Sequence, residues 1–304
     1  MFSRPSKPSV VHSIIILAHK LPTLLHECLE SISHANIPGN FEVIVVNDGG
    51  PQEINHIAES FLPELPVTCL RLASNSGISH ARNVGIKASS GSIITIFADN
   101  YTIEKDHFIR KEALLKRYGV VSSRVITVGK GMGPKMQNLY YQFIIDNWKK
   151  GAQQVEEGFT GPGFPAGAAS SFRRETLEVT GAFDEELVAG EDSDYNKRMD
   201  DQGIQRLHAD AIHVYRREEI TFWQILKKQY TYGAALFDYR ERSGYQHMIK
   251  YELSHAQYVV SLYLDTTGKF RNVPFVALLH GAFRWGIVLG ILKKRWRERK
   301  LFRR

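Results

Sequence analysis

The chain has 304 residues, of which 43% are hydrophobic and 23% charged, and its formal net charge is +7. This composition excludes an intrinsically disordered protein, and the length allows one large domain or two smaller ones. Cys28 and Cys69 lie inside apolar patterns without metal-ligand spacing, which indicates neither a disulfide framework nor a zinc site and fits a reducing compartment.

Strand and helix patterns alternate from residue 11 to residue 100. Short apolar runs that end in polar residues predict strands, and apolar residues repeated at helical spacing predict helices. The strand patterns cover 11–20, 41–50, 67–73 and 92–100, and the helix patterns cover 21–35, 51–62 and 78–89. This order predicts an α/β fold with an open, mainly parallel sheet and helices on both faces.

Each predicted strand ends in polar or small residues. Because the carboxyl ends of parallel strands share one edge of a sheet, these residues predict a ligand crevice there. Asp48 is placed to accept hydrogen bonds from a nucleobase or ribose, and Arg82 to contact a phosphate or to hold Asp99. Taken singly, each residue has a simpler interpretation as a turn former or a surface ion pair. Their joint spacing favours the crevice.

Six segments then resemble the inverting glycosyltransferases of family 2. They occur in the family's order and at familiar separations: SIIILAHK (13–20), VIVVNDGG (43–50), NSGISHARNVGI (75–86), IFADN (96–100), GAFDEEL (181–187) and GEDSDYNKRM (190–199). The resemblance runs from about residue 12 to about residue 215. It implies a GT-A fold, with a catalytic domain at 10–215 and a C-terminal helical extension at 216–304.

The resemblance also implies a site for a nucleotide-sugar donor and a divalent cation, Mn²⁺ or Mg²⁺. Asp99 takes the place of the family's metal-binding carboxylate, and Phe97 stands where the family has another carboxylate. His213 is a second expected metal ligand, although Tyr215 aligns equally well and His213 could be a structural strand-end histidine. The expected donor-binding residues are Ala18, His19, Asn47, Asp48, Asn75, Gly77, Arg82 and Asp99.

Two acidic residues open the segment GEDSDYNKRM. The resemblance implies that Asp192, beside Glu191, is the general base that deprotonates the acceptor hydroxyl. The alternative is an acidic helix start that interacts with the helix dipole. The Gly- and Pro-rich segment before it implies acceptor binding at Gly167 and Ala168.

The positive charge lies at the C-terminus. Residues 293–304 contain eight Lys or Arg and one Glu, and the preceding apolar segment, 273–292, is interrupted by His280 and Arg284. This pattern favours a helix in the interface of an anionic membrane, over a packed helix or a true span. With no cleavable N-terminal signal, it predicts a cytoplasmic protein on the inner face of the membrane. Nucleic-acid binding is a poorer explanation, since the basic residues form one terminal run.

These features together predict an inverting glycosyltransferase that makes a single transfer to a glycan or lipid-linked acceptor, in synthesis of cell-envelope polysaccharide. The segment QILKKQYTYG (224–233) lacks the Gln-x-x-Arg-Trp motif of processive synthases. A nucleotidyltransferase would need a basic glycine-rich loop after the first strand, and LAHKLPTLL (17–25) has none. The alternative is a non-catalytic relative of the same fold that binds nucleotides and holds metal weakly.

Overall fold

The structure, a computed structural model, describes residues 10–161, 169–187, 190–242, 277–279, 281–290 and 292. The chain divides into two compact units. The first comprises Met1–Ile126, Ala152–Glu185 and Tyr195–Arg217, and the second comprises Thr127–Gly151, Glu186–Asp194 and Glu218–Arg304. The domain boundary between residues 215 and 216 stays a prediction.

The predicted alternation of strands and helices is confirmed in the N-terminal part of the chain. Its elements are β1 (His12–Ala18), α1 (Pro22–Ser33), β2 (Phe41–Asn47), α2 (Glu53–Ser60), β3 (Val67–Arg71), α3 (Ile78–Ala88) and β4 (Ile93–Ala98). Strand β1 pairs in parallel with β2 and with β4, and β2 pairs in parallel with β3. Parallel strands need crossover connections, and the three helices provide them.

Antiparallel strands extend this sheet in the later part of the chain. The further elements are β5 (Tyr101–Ile103), α4 (His107–Leu115), β6 (Val120–Val128), α5 (Met132–Gly151), β7 (Gln153–Val155), β8 (Gly158–Thr160), β9 (Ser170–Arg173), α6 (Arg174–Thr180), α7 (Glu191–Asp201), β10 (Arg206–Arg217) and α8 (Phe222–Arg242). The described strands follow the order β3-β2-β1-β4-β9-β6-β10-β8-β7, and β5 pairs with β10.

Both faces of the sheet are covered. Ile14 and Ile16 of β1 belong to an apolar cluster with residues of α1 and α2, whereas Ile15 belongs to a cluster with residues of α3 and α7. Successive side chains of a strand point to opposite faces, and all three isoleucines are fully buried. Burying one such side chain contributes about 1.5 to 3 kcal/mol to the free energy of unfolding, so β1 contributes strongly to the stability of the core.

The second unit contains helices α5 and α8 and further helical residues at 277–279 and 281–290. Its apolar cluster includes Met136 and Tyr140 of α5, Ile225 of α8 and Leu279. Helix α8 and residue Phe283 approach closely, since a side chain at Gly233 would lie 1.8 Å from the Phe283 carbonyl oxygen. None of the described helices combines the length and the hydropathy that crossing a lipid bilayer requires.

Candidate active site

A cavity of about 340 Å³ lies at the carboxyl ends of β1, β2 and β4. Two backbone hydrogen bonds hold these ends together beyond the strands: Asp48 N–H donates to the Ala18 oxygen at 2.8 Å, and Asp99 N–H donates to the Leu17 oxygen at 3.0 Å. The cavity brings together six of the predicted donor-binding residues: Ala18, His19, Asp48, Asn75, Arg82 and Asp99. Its apolar lining includes Ile78, Ala81 and Ile96.

The Asp48 carboxylate fixes the loop that leads into α3. Its Oδ1 accepts a hydrogen bond from the Ser76 N–H at 2.7 Å, and its Oδ2 accepts one from the Gly77 N–H at 3.2 Å. Gly77 has φ of 92°, in the region that favours glycine, and it immediately precedes α3. Asp48 therefore borders the cavity and also positions one of its walls.

His19 connects the ends of all four parallel strands. Its backbone N–H donates to Asp99 Oδ2 at 3.2 Å, and its ring Nδ1 lies 2.7 Å from the Asp48 carbonyl oxygen. Its Nε2 lies 2.9 Å from Nδ2 of Asn75, beyond β3. A carbonyl only accepts, so Nδ1 is the protonated nitrogen and Nε2 accepts from the Asn75 amide. These contacts place the His19 ring at the centre of the site.

The turn after β2 requires glycine because the backbone segments that follow β1 and β3 pass close to it. A Cβ at Gly50 would lie 2.0 Å from the His19 carbonyl oxygen, and one at Gly49 would lie 2.3 Å from the Asn75 nitrogen. The Asn47 side chain serves this turn, since its Oδ1 accepts from the Gly50 N–H at 2.7 Å. Asn47 is fully buried, so the structure turns this expected donor-binding side chain away from the cavity.

Asp99 is a buried carboxylate at the base of the cavity, with 9% of its surface exposed. Burial raises its pKa from 3.8 to about 6, and the hydrogen bond from the His19 N–H offsets part of that shift. Burial penalises the charged form, and a cation bound beside the carboxylate would remove much of the penalty. The environment of Asp99 therefore suits a ligand that brings positive charge.

Phe97 lies in the core on the face of the sheet covered by α1, α2 and α4. It is 1% exposed, and its ring centroid lies 5.6 Å from that of His107 and 6.2 Å from that of Phe108, both on α4. The side chain at this position is therefore part of the hydrophobic packing beneath β4. Asp99 is left without a second carboxylate two residues before it.

Arg82 anchors the segment before α7 to α3. Its guanidinium carbon lies 4.9 Å from the centroid of the Phe183 ring, which stacks at 4.1 Å on the ring of Tyr195 in α7. Asn83 and Phe183 exchange two hydrogen bonds of 2.9 Å, Asn83 Nδ2 donating to the Phe183 oxygen and Phe183 N–H donating to Asn83 Oδ1. Arg82 thus belongs both to the cavity lining and to this packing.

Glu191 and Asp192 form the first turn of α7, as predicted. The turn is closed by a hydrogen bond from the Asp194 N–H to the Gly190 oxygen at 2.9 Å. Carboxylates at this end interact favourably with the helix dipole, so the structural interpretation of the pair also has a physical basis. Glu191 to Asp194 belong to the second unit.

His213 lies against Glu104 rather than against Asp99. Strand β10 pairs with β5 so that Val214 faces Ile103, and His213 Nδ1 lies 3.1 Å from Glu104 Oε1. Asp99 lies before the other end of this pair of strands. At that end the Arg217 N–H donates to the Asn100 oxygen. The register therefore does not bring the two expected metal ligands together. Tyr215, the alternative, donates its hydroxyl to the same Glu104 oxygen at 3.2 Å.

Within the part of the chain that the structure describes, no three His, Cys, Asp or Glu side chains form a group that could hold a metal ion. Among the described residues that line the cavity, Asp99 and Asp48 carry carboxylates, and both oxygens of Asp48 accept backbone hydrogen bonds. Mg²⁺ takes few protein ligands and completes its shell with waters and phosphate oxygens. The residues fit a divalent cation that arrives with a diphosphate, and they do not fit a site made of protein ligands alone.

Gly167 and Ala168, the expected acceptor-binding residues, lie outside the described residues. The chain is described again from Ala169, whose φ of 65° is unusual for a residue with a side chain. Lys111 of α4 is 1% exposed, and its Nζ donates to the Ala169 oxygen at 2.5 Å. Burial lowers the pKa of Lys111. The burial of Lys111 could not be predicted from the sequence, because a lysine in a helix is ordinarily exposed.

Comparisons with known proteins concern the family and the fold of the chain. The family model described as glycosyl transferase family 2 matches residues 13–180, more than half of the chain. YwdF of Bacillus subtilis (strain 168), described as an uncharacterized glycosyltransferase, is 38% identical over 88 residues. That match covers 29% of this chain and 32% of YwdF, so the chain spans about a third of the length of this relative.

Two solved structures are similar in fold. The crystal structure of S. aureus TarS 1–349 in complex with UDP-GlcNAc has a TM-score of 0.53 at 15% identity, over 95% of this chain and 92% of that one. The crystal structure of GalNAc-T7 with UDP, GalNAc and Mn²⁺ has a TM-score of 0.55 at 13% identity, over 70% of this chain and 44% of that one. At these identities the likeness concerns the fold alone.

Proposed function

The chain belongs to glycosyl transferase family 2 and has the GT-A fold, and from this we propose that it transfers a sugar from a nucleotide-diphosphate donor to an acceptor hydroxyl. The observation that carries the proposal is the cavity in which His19, Asp48 and Asp99 converge from three strand ends. The edge of an open α/β sheet is where such folds bind ligands. The solved structures with UDP and UDP-GlcNAc support a nucleotide-sugar donor.

We assign the nucleoside to the side of the cavity formed by Asp48 and Asn75, and the diphosphate to the side formed by Asp99 and Arg82. Asp48 and Asn75 offer hydrogen-bonding groups to a base or ribose, while Arg82 offers positive charge to a phosphate. Gly77 shapes the loop that carries Asn75. Asp99 would hold a divalent cation, which when bound supplies positive charge that stabilises the leaving diphosphate.

We propose an inverting reaction in which Asp192 acts as general base, with Glu191 beside it. A hydroxyl is a poor nucleophile at neutral pH, so a positioned carboxylate that removes its proton favours attack on the anomeric carbon. The attack comes from the face opposite the diphosphate, which leaves with the bonding electron pair. The match of GEDSDYNKRM to the family pattern supports this assignment. Gly167 and Ala168 remain proposed acceptor contacts.

The proposed acceptor is a glycan or a lipid-linked sugar, and the proposed location is the inner face of the membrane. The apolar segment 273–292 and the basic residues of 293–304 support a chain that works at an anionic surface. A single transfer in the synthesis of cell-envelope polysaccharide fits the absence of the processive motif from the sequence.

A second candidate function is that of a nucleotide-binding protein without catalysis. The observation that favours it is Phe97, which occupies in the hydrophobic core the position where the resemblance places a carboxylate. Such a protein would bind a nucleoside diphosphate in the same cavity. It would release no sugar from any donor, and this separates the two candidates.

The test is a panel of nucleotide sugars incubated with the protein and Mn²⁺, with release of the nucleoside diphosphate as the readout. We expect slow hydrolysis of at least one donor, faster in the presence of a suitable acceptor. In Asp192→Asn, transfer should fall by about 10²- to 10⁴-fold while donor binding is retained. A protein that binds nucleoside diphosphates and releases none from any donor would contradict the proposal and favour the second candidate.

A further inference from the structure

The helical residues near the C-terminus expose a row of large apolar side chains. Leu278 is 49% exposed, Trp285 58%, Val288 37% and Leu292 51%. At 100° per residue, these four positions fall within an arc of about 80° on an α-helix. We call them the apolar stripe. Leu279 and Ile287 are fully buried on the other side of the helical segment, so the stripe is the face turned away from the protein.

The charged residue within this segment borders the stripe. Arg284 lies about 100° from Trp285 around the helix and about 40° from Val288, one turn later. Its positive charge acts on Tyr140 of α5: burial raises the pKa of that phenol, and Arg284 offsets part of the rise. Tyr140 is buried in the second unit, so Arg284 is turned toward the protein. The stripe itself carries no charge.

The positive charge that follows the stripe in the chain indicates which kind of surface the stripe contacts. Residues 293–304 follow it directly and contain eight Lys or Arg with one Glu. Apolar side chains next to dense positive charge complement a bilayer with anionic headgroups, because the side chains enter the interface while the cations remain at the headgroups. A second copy of the chain would bring the same cations toward each other, which charge repulsion disfavours.

We propose that the apolar stripe lies in the interface of an anionic lipid bilayer, with the helix parallel to the membrane surface. Trp285 is at its centre, and tryptophan is enriched at membrane–water interfaces because its ring is amphipathic. This inference rests on the proposed function, since it concerns the membrane location that we propose for the enzyme. Vesicle binding itself needs neither donor nor acceptor.

The test is co-sedimentation of the full chain with phosphatidylcholine vesicles and with vesicles that also contain phosphatidylglycerol. We expect binding to the anionic vesicles, and a fall of about tenfold or more in the partition coefficient for Trp285→Glu and for Val288→Glu. Val179→Glu is the matched control, because Val179 is 60% exposed on α6 in the first unit. Thermal unfolding and UDP binding of each variant show whether it is folded.

A second measurement follows Trp285 directly. With Trp148, Trp223 and Trp296 replaced by Phe, the emission of Trp285 should shift to shorter wavelength on anionic vesicles and be quenched by brominated lipid. Folded stripe variants that bind vesicles as the parent does would overturn the proposal. A dimer in analytical ultracentrifugation that Trp285→Glu dissociates would also overturn it, because the stripe would then face a second copy. Either result leaves sugar transfer to a soluble acceptor untouched, so the two proposals fail separately.

Discussion

The substitution Asp99→Asn should stabilise the unliganded protein at neutral pH. Burial raises the pKa of Asp99 from 3.8 to about 6, which corresponds to a destabilisation of about 3 kcal/mol at pH 7, at 1.36 kcal/mol per unit. Asparagine has nearly the same shape, and its Oδ1 can still accept the hydrogen bond from the His19 N–H. We therefore expect the free energy of unfolding to rise by about 1 to 3 kcal/mol at pH 7.5.

The pH dependence of the free energy of unfolding is an independent check that Asp99→Asn stabilises the protein. The folded state binds the Asp99 proton more tightly than the unfolded state does. The parent therefore loses stability as the pH rises from about 4 to about 6, and Asp99 causes no further loss above about pH 6. Asp99→Asn has no carboxylate at this position, so its stability does not fall in this way over the same pH range. The gap in stability between variant and parent should consequently grow by about 1 kcal/mol between pH 5 and pH 7.5. Urea unfolding followed by circular dichroism at the two pH values measures it.

Glu64→Gln serves as the control, because Glu64 is exposed and its charge has no cost of burial. Its effect on unfolding should be small, within about 0.5 kcal/mol at either pH. Two results would contradict the expected cost of the buried charge: destabilisation by Asp99→Asn at pH 7.5, or a difference in stability between variant and parent that does not change with pH. Either result would mean that the protein already compensates the charge of Asp99 without a ligand.

Substitutions at three further positions test separate parts of the structure. Asp192→Asn should lower kcat by about 10²- to 10⁴-fold with little change in the donor KM, as steady-state kinetics would show; an equal loss of donor binding would contradict the role of a base. Phe97→Asp should lower the free energy of unfolding by about 4 kcal/mol or more, and Phe97→Leu should lower it far less, because the ring packs in the core. A Phe97→Asp protein as stable as the parent would refute that packing. Gly50→Ala should destabilise by at least about 2 kcal/mol in urea unfolding, because its Cβ would overlap the His19 oxygen, and a neutral effect would refute the close approach.

Local patterns in the sequence account for much of the fold. The elements from β1 to β4 follow from hydrophobic periodicity, since each strand is a buried apolar run and each helix repeats apolar residues at helical spacing. Their shared edge follows from the rule that parallel strands carry their ligand sites at the carboxyl ends. For this reason His19, Asp48 and Asp99 could be predicted as neighbours without any long-range information.

The direction of individual side chains could not be predicted. Asn47 and Asp48 are adjacent polar residues after the same strand, yet Asn47 is buried in the turn while Asp48 borders the cavity. Pairing between distant strands decides the place of His213, because the register of β5 and β10 sets it against Glu104. The hydrogen bond of buried Lys111 likewise depends on a distant segment, since its acceptor Ala169 lies 58 positions later in the chain.

The proposed function requires that the cavity at the carboxyl ends of β1, β2 and β4 bind the diphosphate of a sugar nucleotide with a cation at Asp99. Calorimetric titration with UDP and GDP, with and without Mn²⁺, tests it in the parent, in Asp99→Asn and in Ile78→Trp, which fills the cavity from its partly exposed wall. We expect saturable binding to the parent that Mn²⁺ strengthens, no effect of Mn²⁺ in Asp99→Asn, and weak binding to Ile78→Trp. Nucleotide binding that is the same in all three proteins would contradict it.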